Sequence, residues 1–280
     1  MANITLKSKI PILIKYTILV FTLFIFFLPI LSMFIVSITP EDKIFSLSKG
    51  IFPENPKWSN YSFALTYIPF FRYLLNTLVI SVLYTIACTF SSAMAGYAFA
   101  RFRIKENEMI FKVVLSSIMI PYIITIIPFY LLIKNLALNN SFMLWFFYGL
   151  AGAPFMIYLY RQFFLTIPRS FEESALLDGA NQWHIFIRIM LPLVKSGTVI
   201  CGMFSFLWTW QNYIMPVLFL SGKKQSLAVR LTGAYVDVQQ SILYGPLMSG
   251  IVYYILVPML IFFIFKRQIM SGMLDGGIKG

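Results

Sequence analysis

Six long apolar runs, each bounded by polar or charged residues, dominate the pattern along the chain: Tyr16–Ser37, Leu78–Ala100, Ile110–Ile133, Phe142–Tyr160, Ser196–Met215 and Leu247–Phe265. About 20 apolar residues in a helix cross the hydrocarbon core of a bilayer, and a helix satisfies all its own backbone polar groups there. The runs predict an all-α polytopic membrane protein, read as one transmembrane domain over 1–280, with spans at about 16–37, 78–100, 110–133, 142–160, 196–215 and 247–265. The first run follows Lys7, Lys9 and Lys15 as a signal peptide would. It is too long for one, and no small-residue cleavage site follows, so it reads as a retained helix.

The pattern changes between the fourth and fifth runs. Residues 165–195 form a polar helical island. Pro168 suits a first helical turn. Ser170 and Glu173 have the spacing of a capping box, predicting a helix through Leu177 or Asp178. Gly179 is placed to end that helix with a positive φ. A second short helix, from Gln182 to about Ile189, presents Ile185 and Ile189 on one face with Phe186 and Met190 beside them, and Leu191-Pro192 ends it. The expected product is a helix–turn–helix knob, acidic at its start and apolar on its flank. An island so ordered inside so apolar a chain reads as a docking surface for a soluble partner.

Composition agrees with the pattern. Hydrophobic residues make up 59% and charged residues only 11%, against about 25% charged in an average soluble domain. The net charge of +12 does not suggest nucleic acid, because the basic residues lie between apolar runs and not on one face. With both termini on the cytoplasmic side, fourteen Lys and Arg fall inside and eight outside, and the island at 165–195 lies in the cytoplasm. Ser92, Gly96 and Ala100 recur every four residues, as do Gly149 and Ala153, and read as helix-packing seams. Pro121, Pro128, Pro154, Pro216 and Pro258 lie in or at the ends of runs and predict kinks or broken helices around a cavity.

Missing chemistry narrows the function. The run interiors lack Asp, Glu, Lys, Arg and His, with Lys112 counted in the loop that opens the third, which argues against an ion-coupled carrier. No Gly-rich phosphate loop ending in Lys-Ser or Lys-Thr occurs, so ATP is not expected to bind this chain in that manner. Cys88 and Cys201 sit in apolar runs, and His184 is the lone histidine, so no disulfide framework, metal site or Ser-His-Asp arrangement is expected. The chain reads as a pathway whose energy comes from elsewhere, with no catalytic residues.

At the island a resemblance becomes specific. Glu173-Ser174-Ala175, Asp178-Gly179-Ala180 and Ile189-Met190-Leu191-Pro192 resemble the "EAA" coupling loop of ATP-binding-cassette importer permeases. Ser174 replaces the usual first alanine, and Ser196 stands where many members have a second proline. Asn60-Tyr61, Asn76-Thr77, Ala95 to Phe102, Pro121, Pro128, Trp210 to Tyr213, Gly272 and Gly276 to Gly280 are similar to the carbohydrate-importer permeases of maltose type, so the resemblance covers nearly the whole chain. It implies a multi-pass subunit of a bacterial plasma membrane. Its partners are a second permease, two ATPase subunits and an extracytoplasmic solute-binding protein. ATP and Mg are held by the ATPases, and this chain carries no cofactor.

The same resemblance assigns Glu172, Glu173, Ala175, Asp178, Gly179, Ala180, Phe186, Leu191 and Pro192 to ATPase coupling. By the same resemblance Glu173 would pair with an ATPase arginine, and Gly276, Gly277 and Lys279 would reach toward the ATPases. Aromatic faces stack on sugars while amides and hydroxyls bind their rims. Trp210, Gln211, Asn212 and Tyr213, with Tyr84, Ser91, Ser92, Tyr122 and Thr125 deeper, are candidates for the pathway. The expected cargo is a sugar, an oligosaccharide in particular; the alternatives are a polar non-sugar such as glycerol phosphate and, from another class, a secondary carrier.

Overall fold

The computed structural model describes residues 2–46, 52–102 and 105–277, so Lys49, Arg103 and Lys279 lie outside the described residues. Those described are mostly helical, with no β-strand and one isolated antiparallel bridge, Val236 to Ile242. In chain order the helices are α1 (Ala2–Ser37), α2 (Ser59–Thr66), α3 (Phe70–Arg101), α4 (Asn107–Ser116), α5 (Tyr122–Asn135), α6 (Met143–Leu150) and α7 (Pro154–Leu165). They continue as α8 (Ser170–Leu177), α9 (Gln182–His184), α10 (Leu191–Leu193), α11 (Lys195–Trp210), α12 (Ile214–Phe219), α13 (Leu227–Gly233) and α14 (Tyr244–Gly277). A π-helical stretch, Ile185–Met190, joins α9 to α10.

Three helices are long and apolar enough to cross a membrane: Ile14–Ser37, Phe70–Arg101 and Tyr244–Met270. Three more lengths qualify only across a bend: Asn107–Met119 with Tyr122–Asn135 at 98°, Met143–Leu150 with Pro154–Leu165 at 52°, and Gln182–Leu193 with Lys195–Trp210 at 84°. Two bends have a local cause. Ile120 and Ala153 precede Pro121 and Pro154 and are driven to extended backbone, with ψ of 112° and 125°. The third, at Val194, precedes no proline. Pro128 and Pro258, by contrast, lie inside α5 and α14.

The chain divides into two compact units. The first comprises residues up to Phe70 with Leu231–Ile255. In it Asn60 Nδ2 donates to the Ser37 and Thr39 carbonyls at 2.9 and 3.4 Å. The Glu41 carboxylate accepts from the Tyr244 and Gly245 N–H groups at 2.6 and 3.1 Å, covering free donors at the positive end of α14.

The second unit, Phe71–Arg230 with the chain from Leu256, holds the larger apolar core. Its centre is built by Tyr84, Cys88, Tyr97, Trp145, Tyr160, Phe164, Ile185, Phe186, Met190 and Cys201. Helices approach closely there at the expected seams. A β-carbon on Gly96 of α3 would lie 2.5 Å from Tyr160 Cβ of α7, and one on Gly149 of α6 would lie 2.8 Å from the Tyr84 carbonyl of α3.

Candidate functional site: the knob between α7 and α11

The knob forms, with a different start from the one the sequence suggests. Arg169, in αR backbone, is the N-cap of α8, and no side chain caps it. Ser170 is already helical, so the capping box with Glu173 is not made. The Arg169 carbonyl instead accepts from the Glu172 and Glu173 N–H groups at 2.9 and 3.1 Å. Glu173 is exposed.

The C-terminus of α8 follows the expected chemistry. Gly179 has φ of +80°. Its N–H reaches the Leu176 carbonyl at 3.0 Å, and the Ala180 N–H reaches that of Ala175 at 2.9 Å, the pair of bonds that closes a helix through a left-handed glycine. Asp178 is the C-cap and is exposed. Leu177 beside it is 89% exposed, an apolar apex left uncovered by the described residues.

The second half has a cap that the sequence reading passed over. Asn181 is extended, and its side chain accepts the His184 N–H at 2.8 Å. Asn181→Ala is expected to cost about 1 kcal/mol. Hydrogen exchange would read this as faster exchange over 182–190, with exchange in α3 unchanged.

The π-helical stretch then adds one residue to the turn. It buries Ile185, Phe186 and Met190 together in the core and leaves Ile189 half-buried. The expected apolar flank of Ile185 and Ile189 is therefore replaced by an inward face. Phe186 lies 5.3 Å from Tyr97 and 6.5 Å from Phe164, centroid to centroid. Ala175 is buried as well. Both residues, named as ATPase contacts from the sequence, anchor the knob to its own protein because the aromatic core of α3 and α7 lies beneath them. Ala180 and Leu191 are half-buried and Pro192 is exposed.

Glu172 faces inward too. Its Oε1 lies 3.3 Å from Arg101 Nε at the end of α3, an ion-pair contact not aligned as a hydrogen bond, with side-chain exposures of 15% and 5%. Arg101 Nη2 also donates to the Phe164 and Ile167 carbonyls at 2.7 and 2.8 Å. Tyr97 Oη donates to Gln182 Oε1 at 3.3 Å.

The pathway candidates separate into two groups. Ser91 Oγ donates to the Gly149 carbonyl at 3.0 Å, and Ser92 Oγ accepts the Ala153 N–H at 3.1 Å. These two hydroxyls satisfy backbone groups at the α6–α7 bend, a need that lipid would leave unmet. Tyr84 is buried and stacks on Tyr148, and Trp210 is buried and stacks on Phe206. Packing by this chain thus covers Tyr84, Ser92 and Trp210, in contrast to the lining role read from the sequence. Gln211, Tyr213, Tyr122 and Thr125 are exposed, and Asn212 Oδ1 accepts the Met215 N–H at 3.0 Å. Gly276 and Gly277 form the last turn of α14.

Long and broken apolar helices with a polar knob between α7 and α11 make the described residues a polytopic membrane protein by architecture. The fold is shared with a bacterial ABC transporter involved in the import of the acidic polysaccharide alginate: a chain of that structure matches with a TM-score of 0.78 at 20% identity, over 94% of this chain and 97% of that one. Residues 87–273 match the binding-protein-dependent transport system inner membrane component family, and the chain belongs to that family. It is 30% identical to the arabinooligosaccharides transport system permease of Bacillus subtilis (strain 168), over 91% of this chain and 92% of that protein. It is 28% identical to the diacetylchitobiose uptake system permease of Streptomyces coelicolor (strain ATCC BAA-471 / A3(2) / M145), over 95% and 88%. With the lactose transport system permease of Rhizobium radiobacter it shares 26% identity over 98% and 99%. The family is one of membrane transport components and not of enzymes.

Proposed function

We propose that this chain is one of two permease subunits that form the translocation pathway of a sugar importer, with an oligosaccharide as cargo. Support for the cargo comes from the relatives, whose names specify arabinooligosaccharides, diacetylchitobiose and lactose. In this reading each bent helix pair serves as one span, giving six, with both termini in the cytoplasm. The knob at 165–195 meets one of two ATPase subunits, which bind ATP and Mg and supply the energy. An extracytoplasmic binding protein delivers the sugar. The observation that carries the coupling role is the apex: Leu177 stands exposed beside Asp178 and a left-handed Gly179, on a base buried in the protein's own core. Glu173, exposed on the same helix, is the residue left to pair with an ATPase arginine. Gln211, Tyr213, Tyr122 and Thr125 remain for the pathway, and the tail at Gly276, Gly277 and Lys279 reaches toward the ATPases.

Uptake by cells lacking this chain tests the proposal. A panel of labelled oligosaccharides, with glycerol phosphate as the non-sugar comparison, is expected to show loss of one sugar class, restored by the gene in trans. Unchanged uptake of every sugar with loss of the phosphate ester would replace the cargo assignment.

A further inference from the structure

We infer that Arg101 is a positioning residue through which movement of the knob reaches the membrane helices. The inference rests on the reading that the knob meets an ATPase, and its test separates the two. One guanidinium touches three elements: it ends α3, donates twice to carbonyls at the end of α7 and just beyond (Phe164, Ile167), and lies against Glu172 of α8. One turn earlier on α3, Tyr97 holds Gln182 at the start of α9. Both halves of the knob are therefore tied to α3 by polar contacts, around a pivot where Tyr97 packs on Phe164 at 5.4 Å and on Phe186 at 5.3 Å.

Chemistry favours a connecting role. Any neutral donor would satisfy two carbonyls, whereas burying a carboxylate beside the guanidinium adds a desolvation cost that good apolar packing avoids. What the pair adds is a charge link between α8 and α3: two carbonyls hold the planar guanidinium in place, and its rigid fork keeps Nε beside Glu172, whereas an ammonium is a point charge whose three donors rotate freely. The covalent joints are weaker levers: α7 leads into α8 through four non-helical residues, 166–169, and the exit to α11 is the 84° corner at Val194. A push at Leu177 thus arrives at α3 through Glu172 and Arg101.

The experiment uses the assembled importer in membrane vesicles and reads three quantities: ATPase retained on the membrane, ATP hydrolysed, and sugar taken up. Glu172→Gln and Arg101→Lys are expected to keep ATPase retention and hydrolysis within about twofold of the parent while uptake falls at least about tenfold, so that ATP consumed per sugar rises. Glu172→Asp, which keeps a carboxylate facing the guanidinium and leaves its two carbonyl contacts intact, is expected to recover part of the ratio lost in Glu172→Gln. Uptake and hydrolysis falling in the same proportion, or an unchanged ratio, overturns the inference. So does loss of both single variants from the membrane, which would assign the cluster to folding alone. Leu177→Glu serves as the control for the underlying reading: it is expected to release the ATPase. If it does not, the knob is not the attachment site, whereas release by Leu177→Glu with a normal ratio in Glu172→Gln defeats only the role given to Arg101.

Discussion

Gly179→Val is expected to leave the protein in the membrane and to remove uptake. Gly179 sits at φ +80°, where a β-branched side chain is strongly disfavoured and any L-residue costs about 1–2 kcal/mol. No atom of the described residues lies within 4 Å of a β-carbon placed there, so the new side chain meets no obstacle among them and projects outward beside Leu177. Its effect is therefore divided between a strained turn and a surface offered to a partner. Asparagine separates the two, because it tolerates the left-handed region far better than valine. If backbone strain dominates, Gly179→Asn retains most activity; if a close-fitting partner dominates, both variants release the ATPase. Membrane-bound ATPase and sugar uptake are the measurements. Normal uptake with Gly179→Val at normal expression would remove the knob from the energy-coupling path.

Gly96→Val is expected to do the opposite, damaging the fold before function can be read. The added β-carbon would lie 2.5 Å from Tyr160 Cβ and 3.0 Å from both the Arg161 nitrogen and the Ile157 carbonyl. These are backbone or backbone-fixed atoms, so no side-chain rotation relieves the contact and α3 must move away from α7. Overpacking of this kind typically costs about 1–3 kcal/mol, and separation of α3 from α7 would also disturb the Arg101 contacts to Phe164 and Ile167. Gly202→Ala on α11 is the matched control. Its β-carbon would meet only Thr85 and Thr89 side-chain atoms at 3.9 Å, an ordinary contact. Thermal unfolding in detergent should show a large loss for Gly96→Val and almost none for Gly202→Ala; equal stability of the two would mean that the α3–α7 seam is not packed as described.

Much of this protein was readable along the chain because lipid imposes local rules. A span must be apolar for about 20 residues and must close its own hydrogen bonds, so helical class and the approximate position of each apolar run follow from the residues themselves. The same holds for the turn at Gly179, where glycine supplies a conformation that other residues resist, and for the bends before Pro121 and Pro154. Side-chain direction was not readable in this way. Glu172 and Glu173 are adjacent and chemically alike, yet one lies against Arg101 while the other is exposed. Ser170 lost its capping role because the helix starts with it and Arg169 takes the N-cap position. The π-helical turn moved Phe186 inward and left Ile189 half-buried, and a bend distant in sequence recruited the Ser91 and Ser92 hydroxyls. By itself the sequence determined a helical membrane chain with a glycine-closed polar knob, since hydropathy and backbone preference act over a few residues. Only the tertiary structure decided which face of the knob is buried and which groups it is tied to, because those partners come from helices far apart in the chain and are chosen by packing.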